Sequence, residues 1–229
     1  MTNLIAALAW FTFAHLGPSL LGFRGAVANP LGRGAYAGLF SLVSAASLIW
    51  VIVAYGEARG DPGEIWWTAG EATRWVQAIL QALALFLIVP GLLTPNPTSV
   101  AQEGVASKPD AVHGMLRITR HPFLWGVAIW AAGHLLVNGD APSLALFGTM
   151  LGLAVFGTIS IDAKRRRSLG ATWDGFAART SSVPFAAILA GRQNLALGEI
   201  GWWRIALGVL VYALLLGGHP HLFGVAALP

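Results

Sequence analysis

Long apolar stretches separated by short polar ones set the pattern of this chain. A helix crosses a bilayer with about 20 mainly apolar residues. Such stretches run from about Asn3 to Gly22, Ala35 to Tyr55, Thr73 to Leu93 and Pro142 to Ile161. A shorter one starts at Pro122 and stops at Asn138-Gly139-Asp140, which reads as a turn, and a last one runs from Trp202 to Leu216. The pattern predicts an all-α, polytopic transmembrane helical bundle of about six spans, forming a single integral membrane domain over residues 1–229.

The connections refine this map. Pro18 removes a backbone donor and predicts a kink near the end of the first span. The segment 22–34 reads as a turn. The second span is rich in Gly, Ala and Ser, which allow helices to approach closely. Trp66, Trp67 and Trp75 fit an interfacial aromatic belt. Residues 94–110 carry three prolines and no apolar period, and read as a loop outside the bilayer. Residues 162–194 are basic and amphipathic, as expected of a helix lying along the interface. Within them, Lys164, Arg165, Arg166 and Arg167 read as a stop-transfer signal and lipid-headgroup contact.

Composition supports a membrane solvent. The 229 residues are 56% hydrophobic and 10% charged, against about 25% charged in soluble domains. The net charge of +4 comes with no basic patch interleaved with aromatics, so a nucleic-acid partner is set aside and the lipid bilayer is the expected one. The N-terminus lacks the positive region of a signal peptide and reads as a retained first span. Basic residues concentrate on alternate connections (Arg24 and Arg33; Lys108, Arg117 and Arg120; Lys164 to Arg167, Arg179 and Arg192). This asymmetry places those loops in the cytoplasm and both termini on the opposite side.

With no cysteine, thiolate haem ligation, iron–sulfur clusters and cysteine zinc sites are excluded. Histidine carries the remaining ligand chemistry. The stretch from Arg117 to Asp140 stands out, because Arg117, Arg120 and His121 sit at the mouth of the apolar helix opened by Pro122, and His134 lies further along it. Ionisable groups in or beside a span are costly unless used. His15, within the first span roughly 10 Å deep at 1.5 Å per residue, is either a ligand or proton-transfer group or a hydrogen-bond donor to a neighbouring helix. His121 is either a functional group or a polar cap. His134, about 220° around the helix from His121, cannot readily share one site with it. His113 reads as a solvated loop residue, and His219 and His221 as an interfacial turn in preference to a metal pair. Arg117 and Arg120 either contact headgroups or neutralise a carboxylate or phosphate, for which Arg is suited.

Several motifs together resemble a known family. They are FxxAHLGPS ending at Ser19, ITRHP ending at Pro122, AxHLLxNGD ending at Asp140, D-x-KRRRxLG-x-x-W-x-x-F-x-x-x-TSxxPFxAIxxGR ending at Arg192, and HPxLFG ending at Gly224. The chain thereby resembles the NnrU family of bacterial membrane proteins, named for an association with nitric oxide reduction in denitrifiers, and is similar to the plant 15-cis-zeta-carotene isomerase, which carries haem b held by histidines. The resemblance implies a haem b with His15 and His121 as iron ligands, His134 as substitute ligand, and Arg117 and Arg120 beside the haem carboxylates. It implies a bacterial inner-membrane protein, with an isomerase or redox role on a lipophilic substrate or on nitrogen oxides. A redox partner is not identified by these residues. RHP-x-x-x-G followed by the basic LG segment also resembles isoprenylcysteine and phospholipid methyltransferases, which would imply S-adenosylmethionine. That likeness departs at Asp162-Ala163, where those enzymes usually carry paired Glu. A non-enzymatic membrane component of denitrification is the third reading.

Overall fold

The computed structural model of the chain describes residues 1–21 and 24–229. The predicted end of the first span at Gly22 and the Gly22-Phe23 start of the turn lie outside the described residues, as do the side chains of Arg24 and Arg33. The described chain divides into two compact units, Met1–Thr68 with Asn138–Thr149, and Ala69–Val137 with Met150–Pro229.

The first unit contains α1 (Thr2–Leu20), α2 (Arg24–Arg59), β1 (Ile65–Thr68), β2 (Asn138–Asp140) and the start of α6 (Ala141–Leu169). The α1 helix continues through Pro18 to Leu20. Much of the expected 22–34 turn is helical instead, and the break falls at Gly32, whose φ of 77° and ψ of 163° interrupt α2. Leu4, Ala7, Leu8 and Phe11 of α1 are buried, as are Val51, Ala54 and Ala58 of α2. Polar side chains fix the pair at one end: Asn3 Nδ2 donates to Glu57 Oε2 at 2.7 Å and Trp50 Nε1 donates to Asn3 Oδ1 at 3.1 Å.

Asn138-Gly139-Asp140 is strand rather than turn, since β1 and β2 form an antiparallel two-stranded ribbon. The Gly139 backbone passes against Trp67, where a Cβ would lie 2.6 Å from the Trp67 nitrogen, so only glycine fits. Asp140 then starts α6, accepting from the Ser143 amide at 3.0 Å, as a helix N-cap does. Arg59 pairs with Asp140 at 3.3 Å.

The second unit contains α3 (Glu71–Leu92), α4 (Met115–Ile118), α5 (Pro122–Val137), the rest of α6, α7 (Ala171–Arg179), α8 (Ala186–Leu189) and α9 (Trp202–Phe223), with short 3-10 turns at Glu103–Ser107 and Leu197–Ile200. Here α6 carries the basic run to Leu169 as one continuous helix, so residues 162–169 prolong that span and the separate helices of the basic stretch are the shorter α7 and α8. Backbone hydrogen bonding favours this continuation, because no Pro or Gly lies between Thr158 and Leu169 to stop it.

Helices α3 and α5 pack closely because small residues line their contact. A Cβ on Gly126 would meet Ile88 Cγ1 at 2.5 Å and the Ala84 carbonyl at 2.8 Å, and one on Gly91 would meet Pro122 at 2.8 Å. Lipid is as apolar as a side chain, so close van der Waals contact and interhelical hydrogen bonds hold such pairs. Gln81 Nε2 donates to Gln77 Oε1 at 2.7 Å and to the Trp130 carbonyl at 3.3 Å, and Tyr212 of α9 donates to the Ala78 carbonyl at 2.9 Å. Gly126→Ala should therefore lower stability by about 1–3 kcal/mol through overpacking, read as an earlier unfolding midpoint in detergent. A wild-type midpoint would contradict the close α3–α5 approach.

Gly34–Arg59, α3, α6 and α9 are long and apolar enough to cross a membrane among the described residues, and α5 is a shorter apolar helix. Their outward faces are bare hydrocarbon: Leu42, Ile49 and Ile52 on α2 and Val209 and Leu214 on α9 are all more than half exposed. This is an all-α membrane fold, with one small ribbon that the hydrophobic pattern did not foresee.

Candidate functional site

The polar end of α5 in the second unit is built around the segment Ile118–His121. The Arg120 amide donates to the Ser181 carbonyl at 2.9 Å, and the Phe185 amide donates to the Ile118 carbonyl at 2.8 Å. Thr119 Oγ1 donates to the Ser182 carbonyl at 2.6 Å, and Trp125 Nε1 to the same carbonyl at 2.7 Å. From the other side, Asn96 Nδ2 and Thr98 Oγ1 each donate to the Arg120 carbonyl at 3.0 Å. The loop expected outside the bilayer is thus bonded to the start of α5 and partly buried, with Thr94 and Asn96 nearly inaccessible.

His121 precedes Pro122, which restricts its backbone to extended conformations. Its carbonyl accepts the Trp125 amide at 3.0 Å and starts α5. The side chain is wholly buried. Its Nε2 lies 2.7 Å from Asp162 Oδ1, and its Nδ1 is buried with no hydrogen-bond partner. Burial pushes the imidazole below its ordinary protonation range, against an opposing pull from Asp162. Arg120 Nε lies 3.0 Å from both Asp162 oxygens, and Nη2 also bonds Oδ2. The guanidinium carbon stands 5.9 Å from the Trp173 ring centroid, within cation–π range. Trp173 and Phe176 of α7 are fully buried, in a cluster with Ala106, Ala111, Val112 and Leu116.

Asp162 is the residue that sequence reasoning passed over as a partner. The available signal was an acid at the end of an apolar helix with Arg165 three residues on, which places both on one face. Arg165 corrects the reading of the basic run as a headgroup contact: it is 3% exposed. Its Nε donates to the Pro97 carbonyl at 2.6 Å, Nη2 to the Ser99 carbonyl at 2.7 Å and Nη1 to Glu103 Oε1 at 2.6 Å. Arg166 and Arg167 are exposed.

Arg117 belongs to a second network. Its Nε and Nη2 grip Glu199 at 2.7 and 2.8 Å, and Nη1 donates to Gln193 Oε1 at 2.6 Å. The Gly114 amide donates to the same Glu199 at 2.9 Å. The Arg117 guanidinium, then the Gly114 N–H, hold the Glu199 carboxyl below its usual range. A folded pKa below the unfolded one contributes stability above the unfolded pKa, lost as pH falls through the folded value. Acidification below about pH 4 should therefore lower the protection of the Gly114 amide against hydrogen exchange, measured relative to its intrinsic rate at each pH, and Glu199→Gln should remove that dependence. Exchange indifferent to both would contradict the link.

His15, in the first unit, is half-buried on α1. Its Nδ1 bonds the Phe11 carbonyl at 2.7 Å, and Phe40 of α2 meets the ring edge-on at 5.5 Å. A carbonyl only accepts, so Nδ1 carries the proton and Nε2 is the basic nitrogen. A concave groove of about 330 Å³ runs beside α1, lined by Ile5, Leu8, Ala9, Thr12, Ala145 and Thr149. His134 Nδ1 bonds the Trp130 carbonyl at 2.8 Å. His121 and His134 thus make separate contacts at the start and near the end of α5. His113 is partly exposed and bonds the Asp110 carbonyl at 2.9 Å. His219 and His221 lie near the end of α9, where His219 Nδ1 bonds the Val225 carbonyl at 2.8 Å. No group of three or more His or acidic residues is placed to hold a metal ion among the described residues; a bis-histidine haem needs only two.

The family model described as NnrU protein matches residues 3–227. The chain belongs to the NnrU family. Among curated proteins, this NnrU member is 26% identical over 201 residues to the chloroplastic 15-cis-zeta-carotene isomerase of Zea mays, covering 84% of the chain and 52% of that protein. It is 26% identical over 193 residues to the protein of the same name from Arabidopsis thaliana, covering 81% of the chain and 50% of the relative. The chain therefore spans about half the length of the curated relatives it matches. No solved structure matches it.

Proposed function

We propose that this NnrU protein is a haem b-binding membrane isomerase that acts on the double-bond geometry of a lipophilic polyene of the carotenoid class. The relatives' name supplies the reaction class. The observation that carries the cofactor is the His121 ring, buried, held at one nitrogen by Asp162 and unpartnered at the other. A carboxylate–histidine pair of this kind orients a metal ligand and raises its basicity. His15 has the same chemistry in a different form, with one nitrogen held by a carbonyl and the other basic.

His15 and His121 would hold the iron, with His134 as the substitute for His121. A bound haem would supply a redox-active iron able to interact with the electrons of a conjugated double bond. Arg120, whose Nη1 takes no part in the Asp162 pair, is the cation that would neutralise a haem carboxylate; Arg117, expected beside it, is already engaged by Glu199 and Gln193. Thr12 and the apolar walls of the groove along α1 would receive hydrocarbon and exclude water. The chain would sit in a bacterial inner membrane with its termini on the periplasmic side.

The visible spectrum of the full chain purified from membranes, with haem reconstitution as control, tests this reading. A Soret band lost in both His15→Ala and His121→Ala is expected. A chain that takes up no haem after reconstitution, or keeps an unaltered band in both variants, would overturn it.

A further inference from the structure

We propose that Asp162 is the positioning residue of His121, fixing its ring as the Nε2–H tautomer so that Nδ1 is the one nitrogen offered to a ligand. The inference deepens the haem reading and rests on His121 being a ligand residue. Asp162 receives both Nε and Nη2 of Arg120 as well as Nε2 of His121. Such a carboxylate is ionised and has no proton to give. The hydrogen between Asp162 Oδ1 and His121 Nε2 therefore belongs to the imidazole.

The other protonation patterns fail on geometry. With the proton on Nδ1, that N–H would be buried without an acceptor, and the Nε2 lone pair would face a carboxylate oxygen at 2.7 Å. An imidazolium would leave the same buried N–H unsatisfied, with the Arg120 cation on the shared carboxylate. One form remains: neutral, Nε2–H donated to Asp162, Nδ1 bare. A buried polar atom without a partner in an otherwise bonded segment calls for an explanation, and a ligand role supplies one.

Arg120 makes this arrangement stiff. Its Nε spans both Asp162 oxygens, so the carboxylate cannot turn away from the imidazole without breaking the ion pair. The Arg120 main chain is itself fixed by Ser181, Asn96 and Thr98. Consequently the two proposed ligand histidines are not equivalent. His15 presents Nε2, held from behind by a neutral carbonyl, and His121 presents Nδ1, held by an anion that makes it the stronger donor.

The test uses the full chain in nanodiscs with 15N-labelled histidine. In the haem-free protein, long-range proton–nitrogen correlation should show His121, assigned by loss of its signals in His121→Gln, as a single Nε2–H tautomer. Asp162→Ala should convert it to a mixture, and Asp162→Asn, which keeps a carbonyl acceptor, should restore the single form. After haem loading, Asp162→Ala should shift the iron–histidine vibration. A wild-type His121 protonated at Nδ1, or a pattern unchanged in Asp162→Ala, overturns the proposal. A fixed tautomer in a chain that takes no haem upholds Asp162 as the positioning residue while removing the haem reading.

Discussion

Arg165→Ala is expected to destabilise the second unit by about 3 kcal/mol, the lower end of the cost of breaking a buried ion pair. The lower end applies because Glu103 is about one quarter exposed and water can screen it. The loss has three parts. Two backbone carbonyls, of Pro97 and Ser99, give up charge-assisted hydrogen bonds, and Glu103 loses its counter-ion. Arg165→Lys should recover only part of this, because one ammonium cannot reach acceptors laid out for a planar fork. Arg166→Ala, one position further on and exposed, should lie within about 0.5 kcal/mol of the parent. Unfolding midpoints of the three variants in one detergent decide the matter. Equal effects at 165 and 166 would show that both residues face solvent.

The second large effect is Trp173→Ala. A fully buried indole packed on Phe176 with a ring separation of 5.4 Å should cost about 3–5 kcal/mol when truncated. The substitution also takes away the aromatic face near Arg120, so the Arg120–Asp162 pair should loosen. We expect Trp173→Phe to restore most of the stability, since it refills the cavity with an aromatic ring. Denaturant unfolding followed by far-UV circular dichroism reads both. Wild-type stability in the Ala variant would mean that α7 does not pack as described.

The helical segments were legible because a span announces itself through composition alone. Twenty apolar residues in a row need no partner to be recognised. The ribbon was not legible, because Asn138-Gly139-Asp140 has poor strand propensity and pairs for a reason outside itself, namely the close passage of Gly139 over Trp67. The basic run shows a different limit. Arg165 and Arg166 are one chemical type in one charge cluster, yet a helix turns 100° per residue and sends only the first into the loop 97–103. That distinction required knowing that α6 continues past Ile161.

The site divides in the same way. Arg120 and His121 could be picked out because charge at the mouth of an apolar helix is unusual. Asp162, 41 residues away in sequence, could not be joined to them by spacing. The helix and its partner loop had first to be placed. Arg117, three residues before Arg120, was grouped with it in the sequence, but the structure commits it to Glu199 and Gln193 in a network of its own.

Withdrawing Arg165 into the interior divides the labour within four consecutive cations. An arginine already engaged by carbonyls and a carboxylate is a fixed structural strut, and its charge no longer answers to the membrane surface. Contact with solvent or lipid headgroups in the folded chain then falls to the exposed Arg166 and Arg167. Adjacent letters of one tetrapeptide thereby serve different ends, the first arginine holding a loop in place and the next two facing outward.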